Sequence, residues 1–188
     1  MFELALVDHL RLTFGHVVYE HRLHAHKARA SARWSRLLRA GEAILMATVA
    51  YLAVGTALGK GRGYAIACAI VAGAALVTLL LHLTFNSDAR AEAHGESAGR
   101  LWHMRERYQA LLADLADGAV TPEIARRRRD DLGEELRVIY ESAPPTNPYP
   151  HEDTARATIT ADEAALSDAE IDRFLPKSLH KPAVSGNT

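Results

Sequence analysis

Features that define several common protein classes are missing from this sequence. Only one cysteine, Cys68, occurs among 188 residues, which excludes an intrachain disulfide framework. The formal net charge of −1 excludes a strongly basic nucleic-acid-binding protein. No glycine-rich phosphate loop, Cys-x-x-Cys pair or His-Glu-x-x-His motif occurs, and no nucleophile, base and oxyanion donors can be assigned. We therefore expect a protein that is not an enzyme and that has no catalytic residue, no metal and no cofactor.

Formal charges are also missing from residues 64–85, and this absence is the most informative one. A helix of that length, at about 1.5 Å per residue, crosses a hydrocarbon layer of about 30 Å. A second apolar stretch, residues 40–58, carries Glu42 as its one charged residue. Three glycines within residues 59–63 favour a tight reversal, whose two basic residues remain at the membrane surface. The pattern predicts a transmembrane hairpin over residues 40–85.

The alternative is a soluble helical hairpin that is buried in a larger protein. The overall content of 24% charged residues favours that alternative, but nearly all of these charges lie in the segments that flank the hairpin. The length of the apolar stretches and their exclusion of charge favour the membrane. A cleaved signal peptide is not favoured, because about forty residues rich in charge precede the first apolar stretch.

Lysine and arginine residues beside the spans predict the orientation. Within about twenty residues of the outer ends of the spans there are nine, against two in the turn. The nine are Arg22, Lys27, Arg29, Arg33, Arg36, Arg39, Arg90, Arg100 and Arg105. We therefore expect a cell-membrane protein with two spans, both termini in the cytoplasm and the turn outside.

The flanking segments show helical periodicity. Residues 1–39 predict an amphipathic cytoplasmic helix, and residues 86–143 predict a cytoplasmic helical hairpin that breaks at Gly118 and restarts at Thr121-Pro122. The predicted apolar stripes are Leu10, Phe14, Val17, His21, His24 and Ala28; then Leu101, Met104, Tyr108, Leu111 and Leu115; then Ile124, Leu132, Leu136 and Ile139. The fold class is therefore all-α, a membrane hairpin carrying a cytoplasmic helical bundle.

Residues 144–188 begin with a proline-rich linker of four prolines within seven residues. Two capping-box patterns follow, starting at Thr160 and Ser167, and each predicts a short helix. Pro176 is expected to end the second of these helices. From Lys181 onward we expect a flexible tail.

The order of these elements is similar to that of a known family. The most informative stretches are Tyr108-Gln109-Ala110-Leu111-Leu112, Asp117-Gly118, Thr121-Pro122-Glu123-Ile124, Arg129-Asp130-Asp131-Leu132 and residues 141–144. Together with the two spans and the basic N-terminal helix, they make residues 5–145 resemble the SLATT family, the SMODS- and SLOG-associating two-transmembrane effectors of prokaryotic conflict systems.

The resemblance implies a pore-forming or membrane-perturbing effector of anti-phage defence. Such an effector is triggered by a partner protein that senses infection or makes a nucleotide second messenger. The resemblance implies no catalytic residues. The second hypothesis is a non-catalytic membrane anchor or scaffold that presents a cytoplasmic helical platform, because the apolarity of both spans fits an anchor equally well.

A pore needs a homo-oligomer, because two helices cannot enclose a channel. Ala65, Ala69 and Gly73 form a strip of small residues on the second span, and Ala43 and Ala47 form a shorter one on the first. Such strips let helix backbones approach closely. Small residues are also common in any membrane helix of an alanine-rich chain. Two interpretations of these positions therefore remain open: a role in helix packing, or no role beyond the composition of the chain.

Five polar residues within the predicted spans are candidate site residues: Glu42, Thr48, Tyr51, Thr78 and His82. The threonine hydroxyls can instead bond the carbonyl four residues earlier in their own helix. Glu42 and His82 lie at similar distances from the turn, so an ion pair or hydrogen bond between them is geometrically possible. A gating role is the functional interpretation, and extension of Glu42 to the headgroups is the alternative.

Three histidines near the N-terminus, His21, His24 and His26, suggest a metal site. No nearby cysteine or second histidine pair completes a tetrahedral set, so we interpret them as structural or interfacial residues. Nothing in the pattern supports a pH-sensing role for them.

Overall fold

The computed structural model describes residues 5–146 and 167–181. Its elements are α1 (Leu6–Ala57), α2 (Arg62–Phe85), α3 (Ser87–Ala116), α4 (Pro122–Ser142), α5 (Asp168–Asp172) and a 3-10 turn (Lys177–Leu179). No β-strand occurs among the described residues, and the all-α prediction is confirmed. The helix start predicted at Thr160, the last two prolines of the linker and the tail beyond Lys181 lie outside the described residues.

The chain divides into two compact units. Lys27–Ala93 form one unit, and the residues before and after that range form the other. We call them the hairpin unit and the bundle unit. The hairpin unit is longer than the predicted 40–85, and both α1 and α3 contribute to both units. Residues 167–181 belong to the bundle unit, whereas the sequence suggested a separate terminal region.

In the hairpin unit, α1 and α2 run antiparallel. The Tyr64 ring lies against Gly55, next to the turn. Further from the turn, the Cys68 thiol lies 3.8 Å from the Val49 carbonyl, and His82 contacts Glu42. The side chains along this seam that are at least half-buried include Leu38, Leu45, Val49, Leu52, Ala67, Val71 and Ala75. Their spacing of three and four residues is the repeat of a helix that packs through one face.

Gly59 ends α1 at the turn. It has φ 77°, a left-handed conformation that glycine adopts without strain. The Lys60 N–H donates to the Gly55 carbonyl and the Gly59 N–H to the Thr56 carbonyl, which is the Schellman pattern. Gly61, with φ 95°, then precedes α2. The glycines therefore close the short turn, as their spacing indicated.

A break at Asn86 separates α2 from α3. Asn86 has φ 40° and ψ 49°, and its N–H donates to the His82 carbonyl. Asparagine tolerates the left-handed region better than other side chains. A single residue, Asn86, therefore separates the apolar helix α2 from the polar helix α3.

The bundle unit has one apolar core, to which α1, α3, α4 and the C-terminal segment contribute. Its largest fully buried side chains are Tyr108, Phe14, Leu10, Leu101, Met104, Ile171 and Val17. Local caps form as expected. Gly118 takes φ 66° in a second Schellman turn, and the Thr121 hydroxyl accepts the Ile124 N–H ahead of Pro122.

One position of the predicted α4 stripe is wrong. Ile124 is 45% exposed, and Ala125 is fully buried in its place. The buried side chains are Ala125, Leu132, Leu136 and Ile139. Ala125 lies seven residues before Leu132, which keeps it on the same helical face, whereas Ile124 lies eight residues before and turns toward solvent. The buried position of this stripe is therefore occupied by the small Ala125 and not by the larger Ile124.

The segment 167–181 packs on this core. Ser167 and Glu170 form the predicted capping box of α5, and Ile171 and Leu175 are 0% and 6% exposed. The Arg22 guanidinium stacks on the Phe174 ring at 4.2 Å from its centroid. We call these residues the C-terminal strap.

Arg11 fixes the strap from α1. Its side chain is 3% exposed, and its guanidinium donates to the Asp172 carboxylate and to the Leu179 carbonyl. Burial opposes ionisation of Asp172, but the hydrogen bond and charge of Arg11 outweigh it and lower the pKa of Asp172. No local pattern indicated this pair, because arginine is usually exposed and the partners are 161 residues apart.

Candidate functional site

Glu42 and His82 meet between α1 and α2. The Nδ1 atom of His82 lies 2.9 Å from the Oε1 atom of Glu42, so the contact that the sequence left open is made. The two side chains are only 20% and 17% exposed. An acidic residue inside an apolar helix is costly unless it is paired, so the contact accounts for the presence of Glu42 in this stretch. Its role in gating stays a prediction.

This pair belongs to a larger polar network, which includes Asp88 of α3. The Oδ2 atom of Asp88 lies 3.8 Å from Nε2 of His82, and Ser35 donates to Oδ1 of Asp88 at 2.6 Å. Arg39 also contacts Oδ1, at 3.2 Å. The hydrogen bond from Ser35 is the main cause of a lowered pKa of Asp88, to which the charge of Arg39 adds.

Sequence reasoning missed Ser35, Arg39 and Asp88 as members of the network. A signal was present in the spacing, because Ser35, Arg39 and Glu42 follow one another at four and three residues and therefore share one face of α1. The approach of Asp88 could not be read from the sequence, since it lies 53 residues from Ser35 along the chain.

The hydroxyl candidates bond within their own helices. Thr48 donates to the Ile44 carbonyl at 2.8 Å, and Thr78 donates to the Ala74 carbonyl at 2.9 Å. Such bonds satisfy the hydroxyl proton without a second helix. Tyr51 is 66% exposed on the outer side of α1. The structure therefore does not bring these three residues to Glu42 and His82.

The predicted small-residue strips lie outside the seam. Ala65, Ala69 and Gly73 are exposed, and so are Ala43 and Ala47. A Cβ atom added at Gly73 would meet no other atom within 4 Å. These residues are therefore not used for packing within the hairpin, and their surfaces remain available to lipid or to another helix.

The close approach of α1 and α2 occurs instead at Gly55. A Cβ atom at this position would lie 2.5 Å from Cδ1 of Tyr64, closer than carbon atoms can pack. Gly55 thus provides the space that the Tyr64 ring fills beside the turn. The sequence contained the glycine, but its partner depends on the register of the hairpin.

Large apolar side chains cover the outer surface of the hairpin unit. Those more than 40% exposed are Trp34, Leu37, Ile44, Met46, Tyr51, Val54, Leu58, Ile66, Ile70, Leu76, Val77, Leu79, Leu80, Leu81 and Leu83. An apolar surface of this extent is far larger than soluble monomers expose. Within residues 5–146 and 167–181, two helical stretches are long and apolar enough to cross a membrane, and almost none of the residues in their apolar parts are buried.

The N-terminal histidines take structural positions in the bundle unit. Nδ1 of His24 lies 3.0 Å from Nδ1 of His94, with both side chains buried, and Nδ1 of His21 lies 2.9 Å from the Ala98 carbonyl. Among residues 5–146 and 167–181, no three His, Cys, Asp or Glu side chains are grouped so that they could hold a metal ion.

These features define an all-α membrane protein with two apolar spans. The sequence model of SMODS and SLOG-associating 2TM effector domain family 4 matches residues 6–170, and the chain belongs to this family. The match includes the hairpin unit and reaches α5 of the strap, and it confirms the family that the sequence analysis named. No curated protein and no solved structure matches the chain significantly.

Proposed function

We propose that this protein is a membrane effector that forms a pore, or perturbs the bilayer, when a partner protein triggers it. The observation that carries the proposal is membership in a family of two-transmembrane effector domains over residues 6–170. The exposed apolar surface of the hairpin unit supports action within the bilayer. We expect the protein to act without catalysis, as part of a prokaryotic anti-phage defence system.

A pore formed by this chain is a homo-oligomer, because a single hairpin has no lumen. The strip Ala65, Ala69 and Gly73 is exposed and lies about half a turn of α2 away from the seam that packs on α1. Small residues there allow the backbone of a second copy to approach closely. Contacts through this strip would leave the α1–α2 seam of each copy intact.

The network around Glu42 and His82 is the proposed gate. It is the one place in the hairpin unit where ionisable groups of α1, α2 and α3 are in contact among the described residues. A change in this network would alter the packing of both spans together. Charges that hold packed helices in one arrangement are suited to a two-state switch.

The orientation that the basic residues predict places both termini, and hence the bundle unit, in the cytoplasm. In that orientation the bundle unit is accessible to a cytoplasmic partner that senses nucleotides or makes a second messenger. The turn at Gly59–Gly61 then faces the outside and exposes little protein to it.

Flux from liposomes tests the pore. Purified protein is reconstituted at equal density as wild type, as Gly73→Leu and as Ala74→Leu, and dye and ion release are measured. Because no other atom lies within 4 Å of a Cβ at Gly73, leucine there leaves the protomer intact and blocks only close approach by another copy. Ala74 is also exposed but lies about a quarter turn away from the strip, so it is the matched control.

We expect release by the wild type and by Ala74→Leu, and loss of release in Gly73→Leu. Equal release by all three proteins would contradict an oligomer built on this strip. No release by any of them, with insertion confirmed, would favour an effector that needs its trigger or the alternative function below.

The alternative is a non-catalytic membrane anchor that presents the bundle unit to a partner. One observation favours it: Thr48 and Thr78 bond their own helices, so few polar groups are left to line a lumen. Induced expression in a bacterial host separates the two functions. Membrane depolarisation with growth arrest supports the effector, and accumulation without either effect, with the partner system present, supports the anchor.

A further inference from the structure

Three arginines of α1 in the hairpin unit have no counterion among the residues that the structure describes. In α3 and α4, most arginines form ion pairs with nearby carboxylates: Arg100, Arg107, Arg126, Arg128, Arg129 and Arg137. By contrast, Arg29, Arg33 and Arg36 are exposed and form an ion pair with none of the carboxylates that the structure describes. Arg36 donates only to the Ala32 carbonyl of its own helix. This part of α1 therefore presents three positive charges that the described protein does not neutralise.

The three arginines share one face of α1. Their spacing of four and three residues places them within about 60° of one another around the helix axis. They lie just before the apolar part of the same helix in the sequence, and α1 continues without a break to Ala57. Their relative positions are therefore fixed by a rigid element.

The same face continues into the membrane-spanning part of α1. Going toward the turn it presents Ala40, Ile44, Ala47 and Tyr51, all of which are exposed, with Ile44 and Tyr51 at 68% and 66%. The distance along the axis from Arg36 to Tyr51 is about 22 Å at about 1.5 Å per residue. The alternation of alanine with larger side chains forms a shallow lane, which we call the acyl lane.

We propose that this face of α1 binds a phospholipid with an anionic headgroup. The guanidinium groups of Arg29, Arg33 and Arg36 contact the headgroup phosphate, for which arginine has a matching donor geometry. The acyl chain then lies along the acyl lane, whose length is comparable to that of a lipid tail. Headgroup and tail are thus recognised by one continuous surface.

Charge and position argue for a lipid over the other occupants. A soluble anion would satisfy the arginines and leave the acyl lane uncovered. A second copy of the chain, docked through the same face, would bring three arginines against three arginines, which is unfavourable. A lipid supplies both the negative charge and the apolar chain, and the surrounding bilayer provides it at high concentration.

The test compares two lipids that differ in headgroup charge. The full chain, purified in nonionic detergent, is titrated with phosphatidylglycerol or with phosphatidylcholine of the same acyl chains, and bound lipid is counted by native mass spectrometry. The test variant carries Arg29→Gln, Arg33→Gln and Arg36→Gln. Glutamine keeps the helix propensity and removes the charge. A second variant with lysine at the same three positions keeps the charge and loses the planar donor pair.

The matched control is Arg126→Gln, Arg127→Gln and Arg128→Gln, which removes the same charge from α4. We expect the wild type and this control to bind phosphatidylglycerol about a hundredfold more tightly than phosphatidylcholine. The three glutamines in α1 should weaken phosphatidylglycerol binding about a hundredfold, at about fivefold per arginine. They should weaken phosphatidylcholine binding far less, because its choline group offsets the charge of the phosphate. The lysine variant should fall between these values.

Three outcomes would overturn the proposal. Equal binding of the two lipids by the wild type would show that the headgroup charge is not recognised. Displacement of bound phosphatidylglycerol by a modest excess of glycerol phosphate would show a site for soluble anions. A change in oligomeric state of the glutamine variant, with lipid binding unchanged, would assign the face to contacts between copies. Neither the pore nor the anchor function is assumed in this test.

Discussion

Replacement of Ile171 by alanine should release the C-terminal strap without unfolding the bundle unit. Ile171 is completely buried in the core cluster that it shares with side chains of α1, α3 and α4. The change removes three carbon atoms, which costs about 2.4 kcal/mol in transfer free energy at about 0.8 kcal/mol each. A residual cavity adds to this cost, whereas movement of the short strap reduces it, so we expect about 2 to 3 kcal/mol.

The strap opens more cheaply than the helices around it. It contains one short helix and one 3-10 turn, and its hydrogen bonds are mostly local. Local opening therefore absorbs the cost of the substitution. A loss of about 2 to 3 kcal/mol corresponds to a roughly 30- to 150-fold increase in the exchange rate of its protected amides.

Hydrogen exchange of the detergent-purified full chain, followed by mass spectrometry of peptides, measures this change. Peptides within residues 167–181 should exchange faster, while those of α1, α3 and α4 should keep their rates. Ile124→Ala is the matched control, because it makes the same chemical change at a side chain that is 45% exposed. Unchanged exchange in the strap of Ile171→Ala, or equal acceleration throughout the bundle unit, would refute the reasoning.

Three other predictions concern the polar groups and the seam. If the polar network gates the membrane activity, Glu42→Gln and His82→Ala should each change liposome release relative to wild type; two silent substitutions rule the gate out. The pKa of Asp172 lies below its ordinary value of 3.8, so the stabilisation of the strap by this carboxylate is complete above about pH 5 and is lost as the pH falls below 4 through the lowered pKa. Proteolysis within the strap should therefore be faster at pH 3 than at pH 7, using a protease active at both, and an Asp172→Asn variant should lack this dependence. Gly55→Ala should destabilise the hairpin by about 1 to 2 kcal/mol, because the clash with Tyr64 exceeds the gain in helix propensity, and Tyr64→Leu should restore the thermal unfolding temperature.

Local chemistry explains why much of the fold could be predicted. Schellman glycines such as Gly118, the cap at Thr121 and the capping box at Ser167 act within a few residues, so the sequence contains all the information that they need. The apolar spans are equally local, because length and absence of charge determine them. Even so, α4 shows a limit, since the predicted stripe includes the exposed Ile124 and omits the buried Ala125.

The remaining features depend on which segments meet in space. Asp88 reaches Ser35 and His82 through the packing of α1, α2 and α3, which no local pattern shows. Gly55 and Tyr64 meet through the register of the hairpin. These contacts join residues that no local pattern relates, and they include part of the candidate gate.

The strap gives a second example of such long-range dependence. Its apolar residues were visible in the sequence, but the surface that receives them was not. That surface includes Arg11, whose burial is tolerated because Asp172 and a backbone carbonyl accept its hydrogen bonds. An arginine in an amphipathic helix is ordinarily predicted to be exposed to solvent. Hydrophobic periodicity therefore does not predict that Arg11 lies in the core.

Chemical labelling from the two sides of the membrane tests most directly whether the hairpin unit crosses the bilayer twice. In a Cys68→Ala background, single cysteines replace Lys60 in the turn, Arg127 in α4 and Lys177 in the strap, and intact cells are treated with a membrane-impermeant maleimide. The two-span arrangement with cytoplasmic termini predicts labelling of the Lys60→Cys protein in intact cells, and of the other two only after permeabilisation. Labelling of all three proteins under the same condition would contradict a hairpin that crosses the membrane.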